Sequence, residues 1–123
     1  MKEVFTDKAP AAVGPYSQGI VGGNVLYISG QLPINPQTGE LITDIKAAAR
    51  QALKNIIAIA ETVSSKDKIV RTTVYIKNIS DFSLVNEVYA EIFTDTKPSR
   101  VCVGVDALPK GAPLEIEAIA IIE

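Results

Sequence analysis

Apolar and polar positions along this chain repeat with two different periods. The run SQGIV (17–21) leads through the turn GGN (22–24) into VLYISGQL (25–32), where Leu26 and Ile28 alternate with Val25, Tyr27 and Ser29. A two-residue period sends successive side chains to opposite faces of a strand, so this pattern predicts a hairpin. Pro33, Pro36 and Gly39 in PINPQTGE then impose a loop. Beyond it the period lengthens. Ile45, Ala49, Ala52, Leu53, Ile56, Ile59, Ala60 and Val63 recur at helical spacing with Lys46, Arg50, Lys54 and Glu61 between them, and Thr43 is the expected N-cap. IVRTTVYI (69–76) is β-branched and reads as a strand. From Ser80 onward, Phe82, Val85, Val88, Tyr89, Ile92 and Phe93 form a second helical stripe. Two further strands, RVCVGV (100–105) and LEIEAIAII (114–122), are joined by the turn-rich DALPKGAP. The order strands, helix, strand, helix, strands predicts an α+β fold.

Parity in the last two strands bears on chemistry. Val101, Val103 and Val105 share one face, and Arg100, Cys102 and Gly104 the other. In the final strand Leu114, Ile116, Ala118, Ala120 and Ile122 form one face; Glu115, Glu117, Ile119 and Ile121 form the other. If the two strands pair as neighbours, joining their apolar faces brings Arg100, Cys102, Glu115 and Glu117 onto one surface. Ile119 and Ile121 lie on that surface too. Two helices cover only one face of a sheet, so the second face is expected to pack against another copy of the chain.

Composition narrows the chemistry. The 123 residues fit one domain, with no repeat, low-complexity tract or linker to divide residues 1–123. With 12 basic and 14 acidic residues, and a net charge of −2, the chain lacks the basic footprint of a nucleic-acid binder. The start has no charged-then-apolar leader pattern, and apolar stretches such as IIAIA (56–60) are too short to span a bilayer. A single cysteine makes no internal disulfide, which fits a reducing cytoplasm. Histidine is absent altogether, which removes the usual general base, the commonest metal ligand and every Ser-His or Cys-His pair.

Chemistry therefore falls to carboxylates, hydroxyls, Arg, Lys and the backbone. Arg100 offers a planar fork for a carboxylate or phosphate, with room beside it at Gly104; a surface ion pair with Glu115 or Glu117 is the simpler reading of the sequence alone. Cys102 has no histidine to take its proton and reads as a small hydrophobe. Glu115 and Glu117 share a face, where partial burial lifts a carboxyl toward neutrality for acid or base work; an interface salt bridge is the alternative. GPYSQ (14–18) and SGQ (29–31) are turn and strand-end signals that are not diagnostic alone. No phosphate-binding glycine loop is present, and Glu87 and Glu91 have no ligand-type partners for a metal.

Taken together, APAAVGPYSQ (9–18), VLYISGQLPINPQTGE (25–40), PSRVCVGVDALP (98–109) and LEIEAIA (114–120) resemble the RidA/YjgF family along essentially the whole chain. The resemblance implies a chorismate-mutase-like fold with a mixed six-stranded sheet and two helices on one face. It further implies a homotrimer whose sheets form a central barrel, with active-site clefts between subunits. The implied activity is cofactor-independent hydrolysis of 2-imino acids, such as 2-iminobutanoate and 2-iminopropanoate, to 2-oxo acids and ammonia. By matching motif, Arg100 would bind the substrate carboxylate, Glu115 would orient and activate a water, and the Cys102 backbone carbonyl would help hold it. Tyr16, Ser29, Gly30 and Asn86 would line the cleft, some from the neighbouring subunit. Lys97-Pro98-Ser99 looks like a short version of a loop that varies in the family. Family associations also leave open a regulatory module that binds small carboxylates, or an RNA-cleaving translation inhibitor.

Overall fold

The computed structural model describes residues 1–123. Six strands and two α-helices follow one another as β1 (Lys2–Val4), β2 (Gly19–Gly22), β3 (Val25–Gln31), α1 (Ile45–Ala60), β4 (Ile69–Ile76), α2 (Phe82–Ile92), β5 (Ser99–Gly104) and β6 (Leu114–Ile121). The strands form one mixed sheet in the order β1-β2-β3-β6-β4-β5. Every pairing is antiparallel except β4 with β5. Parallel neighbours need a crossover, and α2 supplies it.

Both helices lie on one face. Ala48, Ala49, Ala52, Leu53, Ile56, Ile59 and Ala60 of α1 are buried against Leu26 and Ile28 of β3 and Leu114, Ile116, Ala118 and Ala120 of β6. The small alanines let the helix approach the sheet closely, and each fully buried Leu or Ile contributes about 1.5–3 kcal/mol. Val85, Val88 and Tyr89 of α2 complete the layer, and the Tyr89 hydroxyl lies 2.8 Å from Thr72 Oγ1 on β4. The one wholly buried amide, Asn55, donates through Nδ2 to the carbonyls of Leu32 (3.1 Å) and Ile34 (3.0 Å). This pins the loop after β3 to the helix. No helix is long and apolar enough to cross a membrane.

Three expectations need correction. Asp44, not Thr43, caps α1, its Oδ2 accepting from Ala47 N at 3.1 Å; both residue types cap, and the acid gains from the positive end of the helix dipole. The helix stops at Ala60, after which Thr62 and Val63 bond three residues back in a tightened turn, although Val63 still packs on the core. Strand β1 was not anticipated, because three residues are too few to display a period.

The largest correction concerns the last two strands. They are not neighbours: β4 lies between β5 and β6. Thr72 pairs with Arg100 on one side and Ala118 on the other, and Val74 likewise joins Cys102 to Ile116. Arg100 and Cys102 therefore lie on the helix-covered face. Tyr75 joins Val103 to Glu115 and Thr73 joins Val101 to Glu117, so the valines share the uncovered face with the carboxylates. That face leaves Tyr27 (51 %), Val101 (39 %) and Val103 (40 %) substantially exposed within the single chain.

Candidate functional site

One group of sequence-predicted residues converges where β3 meets β6. The β3–β6 register shifts between Ile28 and Gln31, and Gly30 sits in that irregularity. A Cβ on Gly30 would fall 2.6 Å from Glu115 Oε2, so only glycine lets the carboxylate lie against the β3 backbone. Ser29 Oγ donates to the Ser17 carbonyl (2.6 Å), drawing the GPYSQ turn beside them. The buried Gln18 amide donates to the carbonyls of Thr6, Ala9 and Pro10 and accepts from Thr6 N, which fixes residues 6–10 as a wall. The result is a cleft of about 750 Å³ that includes Tyr16, Ser29, Gly30, Glu115 and Glu117. Its size falls within the usual small-molecule range of about 300–1,000 Å³. Glu115 is half-buried, and burial first, then the charge of Glu117, raises its carboxyl above the ordinary range.

Arg100 lies elsewhere, against α2. Its Nη2 donates to Asn86 Oδ1 at 2.7 Å. Its guanidinium stands over two rings, 4.7 Å from the Tyr89 centroid and 5.2 Å from that of Phe82. No carboxylate pairs with it: the ion pairs of this molecule are Lys46–Glu87, Arg50–Glu91 and Lys68–Glu123. The arginine is thus held by a neutral amide and two π faces, which orient it without neutralising it. Lys97 and Pro98 line the adjoining cavity of about 400 Å³ together with Asn86, Tyr89 and Arg100. Burial in this layer pushes the Tyr89 phenol up to about 12.

The expected meeting of Arg100 with Glu115 and Glu117 on one face does not occur within a chain, because the interposed β4 reverses the assumed relation between the two strands. The chain instead carries two separated groups, one anionic and one cationic. Cys102 belongs with the cationic group. Its partly buried thiol packs on the core, and desolvation raises it while Arg100 opposes, leaving a protonated and weakly nucleophilic group at neutral pH. No three Asp, Glu or Cys side chains gather as a metal-ligand cluster.

Sequence reasoning passed over Phe82 and Tyr89 by assigning them to the apolar stripe. Their spacing held a usable signal: Asn86 interrupts that stripe four residues after Phe82 and three before Tyr89, marking a polar position on the same helix face. Lys110 was also missed. It lines the Glu115 cleft and is the sole non-glycine residue with positive φ, at 58°.

Residues 6–122 match the family model described as Endoribonuclease L-PSP. A RutC family protein of Pyrococcus horikoshii is 54% identical over 98% of both chains. The 2-iminobutanoate/2-iminopropanoate deaminase of Escherichia coli is 49% identical over 98% of this chain and 97% of its own. Among solved structures, E. coli TdcF with bound serine superposes with a TM-score of 0.96 at 43% identity, covering 100% of both chains.

Proposed function

Since the chain belongs to the Endoribonuclease L-PSP family, that of the RidA and YjgF proteins, we propose that it hydrolyses 2-imino acids to 2-oxo acids and ammonia at sites shared between subunits. The observation that carries this reading is the division of the site. An unpaired, ring-stacked Arg100 and a desolvated Glu115 lie on opposite faces of one sheet, so only a second copy brings them together. A homotrimer closed through the apolar uncovered faces would do so three times over, with the sheets as a central barrel.

In such a cleft Arg100 grips the substrate carboxylate through two parallel hydrogen bonds, with Asn86 and the two rings fixing its plane. Tyr16, Ser29 and Gly30 of the other copy form the facing wall. Glu115 and the Cys102 backbone carbonyl hold a water against the imine carbon. Glu115 takes a proton as the water oxygen bonds to that carbon and the C=N π pair moves to nitrogen. It returns the proton to nitrogen; Glu115 then takes the hydroxyl proton as the carbonyl forms and the C–N pair leaves with ammonia, which picks up that proton. Iminium plus water thus gives ketone plus ammonium. The imine carbon is electrophilic already, so positioning and one tuned carboxylate provide the acceleration, about 10²–10⁴-fold for the acid–base part. No cofactor or metal is needed for this chemistry.

The test exploits the divided site. Arg100→Ala and Glu115→Gln are each expected to release 2-oxo acid from a freshly generated imine about 100-fold or more slowly than wild type. Co-assembled in equal amounts, they regain about a quarter of wild-type activity, because a quarter of the interfaces then join an intact Arg100 to an intact Glu115. No recovery on mixing would sink the shared site. Tight binding of a 2-oxo acid without turnover by wild type would instead favour a carboxylate-sensing module. A ribonuclease role has the family's description behind it, but a net charge of −2 argues against it.

A further inference from the structure

Glu115 is not the only carboxylate in its cleft. Glu117 lies two positions along β6 on the same face, about 7 Å away by the strand repeat, and lines the same cavity. The two are unequally provided for. Tyr75 Oη donates to Glu117 Oε2 at 2.8 Å, whereas Glu115 receives no hydrogen bond from any side chain. Neither is paired with a cation. Around them β4 contributes Tyr75 opposite Glu115 and Arg71 opposite Ile119, and β3 contributes Tyr27 opposite Ile119. The N-terminal loop contributes Tyr16 and the turn before β6 contributes Lys110. Arg71 and Lys110 make no ion pair with either carboxylate.

We propose that Glu117, clamped by Tyr75, is a positioning residue for proton transfer: its negative charge makes Glu115 the member of the pair that takes the proton from the water and carries it to nitrogen. The assignment follows from the geometry. Two like charges on one face of one strand resist joint ionisation, and the side that owns a hydrogen-bond donor keeps its charge. Tyr75 is that donor, and it serves Glu117 alone. The proton taken from the water then resides on the carboxylate that lies against Gly30 at the cleft, where it can be passed to the departing amine. Burial and the neighbouring charge both push Glu115 upward, and Glu117 likewise raises the Tyr75 phenol, as this coupling requires.

The inference deepens the proposed deaminase reading and rests on it for its purpose, but its test does not depend on turnover. Carbon-13 NMR titration of the Glu115 carboxyl in the intact protein reads the coupling directly, and the pH profile of kcat/KM for imine hydrolysis reads its consequence. In Glu117→Gln the Glu115 titration moves to lower pH, the Tyr75 phenol also titrates lower, and the acid limb of the profile follows Glu115. In Tyr75→Phe the freed Glu117 competes for the shared proton, so the Glu115 titration broadens and moves the same way by less. A structural role alone would lower stability or raise KM and leave the titration in place. An unchanged Glu115 titration in both folded variants overturns the proposal. Wild type that shows the coupling but hydrolyses no imine overturns the deaminase reading and leaves the carboxylate pair standing.

Discussion

Arg100 is oriented by groups that carry no formal charge, and this decides what its replacement does. Arg100→Ala removes the only cation in its cavity that has both rings and an amide to hold it, and is expected to lower kcat/KM on the order of 10²–10³-fold. Arg100→Lys recovers only part, since an ammonium stacks poorly and cannot bind bidentately. Cys102→Ala is expected to keep most of the activity, because its proposed role uses only the backbone carbonyl; steady-state assays of the three variants check the ordering. Glu115 makes a different prediction, about stability. Its carboxyl is raised in the folded state, so its favourable contribution is complete below the ordinary carboxylate range and is lost as pH rises through the raised value. Glu115→Gln is therefore expected to melt above wild type at pH 7, the gap closing below about pH 4, while turnover disappears. Thermal melts at the two pH values measure it.

At the scale of elements, the cleft depends on an irregularity in β3. Gly30 occupies the register shift and Glu115 fills the space a side chain would take. Gly30→Ala forces the flexible end of the Glu115 side chain away from the strand, and kcat is expected to fall by more than about tenfold with little loss of stability. A circular dichroism melt beside the kinetics separates the two effects. The helices are tied to each other by Lys46–Glu87 and Arg50–Glu91, both at the surface. Pairs so exposed and salt-screened align α1 with α2 more than they stabilise either. Most of the elements themselves were readable from periodicity, because α1, β3, β4, α2 and β6 each bury one face and show it in sequence. The start of α1 shifted by a residue, since Thr43 and Asp44 are both competent caps. Strand β1 gave no signal, as its pairing with β2 and not its own pattern makes it a strand.

For the whole molecule, the uncovered face of the sheet is the decisive surface. Val101 and Val103 lie on an edge strand, about two-fifths exposed, on the same sheet face as Ile119 and Ile121 of β6 but separated from them by β4. Val101→Glu should dissociate the assembly and abolish activity although both half-sites remain whole. Light scattering should then fall from the mass of the proposed trimer to the monomer mass of 13.1 kDa. An unchanged mass would remove this face from the interface. Two helices and one sheet lead to the expectation of a homo-oligomer, which this mass measurement tests. The route to that expectation was wrong, because it set Arg100 beside Glu115 on the same uncovered face.

Local pattern alone determined the element order, the faces of each strand taken singly, the lack of histidine chemistry and the residues worth watching. These follow from side-chain period and composition, which are properties of short stretches. Which strand lies next to which was decided only in three dimensions. A parallel crossover through α2 inserts β4 between β5 and β6, a pairing of distant segments that no local rhythm encodes. That single insertion turns Arg100 toward the rings of α2 and Glu115 toward the open face, and so holds the two apart within one copy of the chain.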